Sequence, residues 1–164
     1  MAMARRLGLA LLLAAAAASA GCRGYAAGGL FRPDIKTVYL AKFDNATFRR
    51  GLEVPLKRAV EQEIIRSTPL TFAPRDEADS ILTGELLGVT LRSRVETVED
   101  ETLLTNVSAK VRFRWLDRRA GTDIVPEQVL EESVRIAPAL EDTLTDYLFQ
   151  QVAKRIVERM QEPW

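Results

Sequence analysis

The most regular pattern in the chain is a strict alternation over Asn106–Asp117. Val107, Ala109, Val111, Phe113 and Trp115 fall on one side, and Asn106, Ser108, Lys110, Arg112 and Arg114 on the other. That is the two-residue period of a half-buried β-strand. Ile35–Phe43, rich in β-branched and aromatic residues, predicts a second strand, followed by a polar loop through Asp44-Asn45 and Arg49-Arg50-Gly51. From Glu53 to Ser67 the period changes. Leu52, Leu56, Val60 and Ile64 recur every four residues with Ala59 beside them, so the segment predicts a helix with one apolar stripe. Pro55 is compatible with its first turn, and Ser67-Thr68-Pro69 stops it. Leu70–Ala73 has room for a short strand only. Ser80–Glu96 reads as a long extended segment whose alternation slips phase at Leu86-Leu87, between Gly84 and Gly88, which predicts a bulge. The acidic run Glu96–Glu101 predicts a hairpin tip, Asp117–Thr122 a turn and Val129–Ile136 a further strand. Leu144, Leu148, Val152, Ile156 and Met160 mark a closing helix over Glu141–Met160.

The order β-α-(β)-β-β-β-α predicts an α+β two-layer sandwich, with a four-stranded mixed sheet and both helices packed on one face. The first strand, the helix and the strand from Ser80 form a crossover unit; the later strands pair as antiparallel hairpins.

The segment before this domain is an address. Arg5 and Arg6 precede an unbroken apolar run, Leu7–Ala18, and small residues follow, the layout of a secretory signal. The run is shorter than the ~20 apolar residues a membrane span needs. Cys22, the only cysteine, follows Ser19-Ala20-Gly21. The arrangement is similar to a bacterial lipobox, which makes Cys22 the lipid-attachment residue; several acyl chains hold a protein on a bilayer where one holds it only marginally. Cleavage after Ala18-Ser19-Ala20 is the competing reading and would leave Cys22 a free thiol. The expected division is a lipoprotein-type signal over residues 1–21, a glycine-rich tether over 22–34 and one domain over 35–164.

Composition narrows the chemistry. The 164 residues contain no histidine and a single cysteine, so histidine-based catalysis, HExxH zinc sites, CxxC metal sites and internal disulfides are excluded. Lys+Arg and Asp+Glu are both 23, and loss of residues 1–21 removes two arginines and no acids, leaving 21 basic against 23 acidic residues. A nucleic-acid binder of the usual basic kind is thereby excluded. With no nucleotide-binding or SxxK motif either, the chain reads as a non-enzyme that needs no metal or cofactor. The acidic tip Glu96, Glu99, Asp100 and Glu101 lacks calcium-loop spacing and reads as a solvated turn.

One cluster stands out. In the strand from Ser80, Thr90, Arg92, Arg94 and Glu96 share a face, and the hairpin brings that face beside Lys110, Arg112 and Arg114. Five cations in a neutral protein require neighbouring acids or an external anion, so Arg92, Arg94, Lys110, Arg112 and Arg114 are candidate contacts to a phosphate-bearing ligand. A solvated outer sheet face is the alternative.

The same residues resemble a family. Cys22 with Gly24-Tyr25, then Ile35-Lys36-Thr37-Val38, Phe43-Asp44-Asn45-Ala46-Thr47-Phe48-Arg49, Gly51-Leu52-Glu53, Ala78–Glu85 and Trp115-Leu116-Asp117 resemble, in order and spacing, the lipopolysaccharide-assembly lipoprotein family LptE. The resemblance implies a lipid-anchored protein on the periplasmic face of the outer membrane. Its partners would be an LptD-like β-barrel, which it would plug and help to assemble, and lipopolysaccharide, which it would bind in transit to the cell surface. It also implies two helices on a four-stranded sheet. The rival reading is a periplasmic lipoprotein scaffold of another envelope complex.

Overall fold

The alternation over Asn106–Asp117 becomes an interior strand of the sheet, between its longest neighbours. The computed structural model describes residues 32–94, 104–136 and 141–161. Strand β5 (Leu104–Asp117) buries Val107, Ala109, Val111, Phe113 and Trp115 and turns Lys110, Arg112 and Arg114 to the opposite face. It pairs antiparallel with β4 (Ser80–Arg94) on one side and β6 (Asp123–Ile136) on the other. Beyond β4 lies β1 (Thr37–Leu40), parallel to it, and β3 (Thr71–Phe72) runs parallel along the far edge of β1. The sixth strand, β2 (Asp44–Asn45), continues the line of β1 along β4, with Asp44 opposite Glu85.

Helices α1 (Glu53–Ser67) and α2 (Glu141–Met160) have the boundaries their periodicity predicts. Leu56, Ala59, Val60 and Ile64 of α1 and Leu148, Phe149, Val152, Ile156 and Met160 of α2 join one core cluster with the inward residues of the sheet, so both helices share its inner face. Their C-terminal ends meet where β1 begins: Gln161 Nε2 donates to the Ser67 carbonyl at 3.2 Å. This is the near end of the molecule; Arg94 of β4 and Leu104 of β5 pair at the far end.

Three expectations are corrected. The sheet has six strands rather than four: the short strand expected within Leu70–Ala73 is present as β3, and β2 has only two residues, too few to show an alternation. Asp44 and Asn45, read as loop residues, pair by backbone alone, and Ala46 N–H donates to the Leu86 carbonyl just beyond them. Strand β6 begins at Asp123, six residues before the expected Val129. Pro126 hides its start, and β6 accommodates it as an edge strand with register shifts opposite Phe113–Leu116. The predicted slip in β4 is present, as a register shift between Leu86 and Gly88.

Candidate functional site

The outer face of β4, β5 and β6 carries the candidate cations, and neither α1 nor α2 covers it. The strand register assigns each one a place. Arg114 lies opposite Thr83, Arg112 opposite Glu85, Lys110 opposite Gly88, Arg92 opposite Asn106 and Arg94 opposite Leu104. All five therefore fall on one face, as the alternation requires, but they do not form one cluster. Arg92 is paired four residues along β5 from Lys110, about 13 Å at the usual rise of a strand. The expectation that Arg92 and Arg94 sit beside Lys110, Arg112 and Arg114 fails because the bulge and the length of β4 carry them to the far end.

The near-end cations are neutralised within the protein. Arg112 Nη1 donates to Glu85 Oε2 at 3.0 Å, and its Nε lies 3.7 Å from Glu127 Oε1. Arg114 Nε donates to Asp123 Oδ1 at 2.5 Å, and this hydrogen bond raises the guanidinium pKa above its ordinary value. Arg112 and Arg114 line a shallow depression of about 160 Å³ together with Asp44, Glu85 and Glu127. Three carboxylates against two guanidiniums do not attract an anion. Lys110, in contrast, is exposed and makes no ion pair among the described residues.

A cation that the sequence reading passed over joins the far group. Arg135 of β6 is opposite Asn106, so Arg92, Asn106 and Arg135 form one row across three strands, and Arg135 is exposed. Parity along β6 would have placed it there once the strand start was known. Between this row and Lys110 lies the hydroxyl row Thr90, Ser108 and Ser133. Lys110 lies opposite Glu131 of β6, and the cation positions beyond it are those of Arg92, Arg94 and Arg135. Cys22 and the acidic tip Glu96–Glu101 lie outside the described residues.

Several residues that carry the family resemblance have structural work. Asn45 uses its whole side-chain amide: Nδ2 donates to the Arg49 carbonyl at 2.8 Å and to Glu53 Oε2 at 2.7 Å, and Oδ1 accepts from Thr47 N–H at 2.9 Å and Thr47 Oγ1 at 2.7 Å. The bonds lock the loop that leads into α1. Gly51, at φ 87°, makes the left-handed turn just before it. Glu53 is held below the usual carboxylate range by its own and neighbouring backbone N–H groups and by Asn45.

These observations define a class: a two-layer α+β domain whose sheet presents one polar outer face, uncovered among the described residues. The family model for lipopolysaccharide assembly, LptE, matches residues 35–160. The chain belongs to the LptE family. No curated protein sequence matches it. Among solved structures it is similar to the hypothetical protein CT253 from Chlamydia trachomatis, at 14% identity and TM-score 0.55, over 77% of this chain and 96% of that one. It is also similar to protein XCC0632 from Xanthomonas campestris, at 11% identity and TM-score 0.56, over 82% of this chain and 87% of that one. At such identities the likeness is one of fold. Among the described residues no helix is long and apolar enough to cross a membrane.

Proposed function

We propose that the chain is a non-catalytic outer-membrane lipoprotein, anchored on the periplasmic face through Cys22. In this reading it plugs and supports the assembly of an LptD-type β-barrel, and binds lipopolysaccharide on its way to the cell surface. The observation that carries the reading is the uncovered polar face of the sheet in a member of the LptE family. A plug in a water-lined barrel needs one apolar side closed by its own helices and one polar side turned to the lumen wall. Lys110 and the far-end positions Arg92, Arg94 and Arg135 supply donors for lipid phosphates, by charge-assisted hydrogen bonds.

The full chain, pulled down from detergent-solubilised outer membrane, is expected to bring a β-barrel partner in equal amount. Its absence would favour the scaffold of another complex. The face itself is tested with purified lipopolysaccharide. Lys110→Glu is expected to weaken binding by about tenfold, the loss of one charge-assisted contact. Arg114→Glu, which disturbs a guanidinium already satisfied by Asp123, should change binding by no more than about twofold. Arg92→Glu/Lys110→Glu/Arg135→Glu should lose most of the affinity and keep the fold; unchanged binding by this triple variant removes the face from the reading.

A further inference from the structure

The two long edges of the sheet are treated differently. The outer edge of β6 carries Pro126, two register shifts and the charges of Glu127, Glu131 and Arg135, features that discourage another strand from pairing there. Strand β4 is covered by β1 and β2 only as far as Leu86. From Gly88 to Arg94 its sole partner among the described residues is β5. The carbonyls of Leu82 and Leu86, whose side chains face the core, accept from Ala41 and Ala46 on the β1–β2 side. The bulge shifts this phase by one residue, so the backbone groups of Val89, Leu91 and Ser93 face the side that β1 and β2 leave open.

Along this open edge Leu91 takes the inward register and positions 92 and 94 the outward one. Leu91 lies in register with the buried Val107, yet is 49% exposed. At the foot of the edge the loop beyond Ala46 holds Phe48 wholly in solvent, on a backbone fixed by the hydrogen bonds of Asn45 and Thr47. A rigidly presented aromatic loses little entropy when it is covered. Arg49 and Arg50 flank it, exposed and without ion pairs among the described residues, and Arg92 and Arg94 occupy the outward positions of the strand.

We propose that Gly88–Arg94 is an acceptor edge, on which an extended segment of a partner polypeptide adds as a further strand. Main-chain hydrogen bonds to Val89, Leu91 and Ser93 supply the affinity, and alternate side chains supply the choice of partner. The pleat sends alternate residues of the added strand to opposite faces. Apolar residues then cover Leu91, and acidic residues meet the arginine positions 92 and 94, with the loop of Phe48, Arg49 and Arg50 at the strand's foot. The proposal shares positions 92 and 94 with the glycolipid reading but does not rest on it, and its test uses neither barrel nor glycolipid.

The probe is a seven-residue synthetic peptide alternating valine and glutamate, added to the full chain. It is expected to bind in a fluorescence-anisotropy titration and to slow hydrogen exchange at the Val89 and Leu91 amides. The lysine analogue should bind at least about tenfold more weakly, as should a peptide N-methylated at alternate residues, which keeps its charge and loses its main-chain donors. Leu91→Pro removes one edge-facing N–H and leaves the hydrogen bonds to β5, so it should keep the circular dichroism of the parent and lose peptide binding. Equal binding of the lysine or N-methylated peptide overturns the proposal, as does unaltered exchange at Val89 and Leu91. These arms decide the matter even where Leu91→Pro fails to fold.

Discussion

Gly84→Ala is expected to lower the melting temperature by roughly 10 °C, the equivalent of about 2–3 kcal/mol in a domain of this size. A Cβ on Gly84 would lie 2.0 Å from Phe43 Cε1 and 2.5 Å from Phe43 Cδ1, far inside van der Waals contact. The ring cannot yield cheaply, because Phe43 is completely buried in the core. It is held there by the way β1 hands over to β2. Leu40 pairs with Leu82 and Asp44 with Glu85, so four steps of one chain are set against three of the other, and Phe43 lies in the extra length. Its side chain fills the inward space that Gly84 leaves empty. Alanine in place of glycine gains up to about 1 kcal/mol from the unfolded state, which is less than the clash costs. Thermal unfolding by circular dichroism checks the single variant. The same substitution in a Phe43→Leu background should cost less than about 1 kcal/mol, because the two sites are coupled. An unchanged melting temperature for Gly84→Ala would show that the ring is not seated as described.

Asp79→Asn is the second large effect, expected to cost about 2–4 kcal/mol at neutral pH. Asp79 is nearly inaccessible and accepts the backbone N–H groups of Lys36 and Thr37, both at 3.0 Å, on Oδ2. Arg119 Nη2 lies 2.6 Å from its Oδ1, and its own N–H donates to Thr37 Oγ1 at 2.7 Å. One carboxylate thus joins the start of β1, the start of β4 and the turn after β5. Asparagine retains one acceptor oxygen and places an amide donor where Arg119 requires an acceptor. The Lys36 N–H bond first, then the Thr37 and Arg119 contacts, hold the Asp79 pKa below its ordinary value despite burial. A carboxylate depressed in the folded state contributes stability that is complete above its unfolded pKa. That contribution is lost as pH falls through the folded value. The gap in melting temperature between the parent and Asp79→Asn should therefore be widest at neutral pH and close in acid, below the ordinary aspartate range. A gap that stays constant into strong acid would show that the charge of Asp79 is not what ties these three segments.

Both residues lie in stretches that carry the family resemblance, and their roles differ from what a site reading suggests. Asn45, Gly84 and Asp79 hold the β1–β2–β4 junction and the entry to α1; the outward cations lie on other strands. Strand parity alone identified the face of Lys110, Arg112, Arg114, Arg92 and Arg94. Parity is blind to distance along the sheet and to partners on other strands, so it did not separate the satisfied Arg112 and Arg114 from Lys110, which makes no ion pair among the described residues. It also did not bring Arg135 into the row with Arg92.

Elements long enough to repeat a period were legible in one dimension: α1 and α2 to the residue, the inward set of β5, and the phase slip in β4. Burial imposes that period on every turn or pleat, so it is written into the order of apolar and polar side chains. The two-residue β2, the early start of β6 at Asp123, the seat of Phe43 over Gly84 and the open far edge of β4 depend on which backbones lie side by side. Pairing of that kind uses main-chain N–H and C=O groups that every residue other than proline carries alike, and no order of side chains announces it.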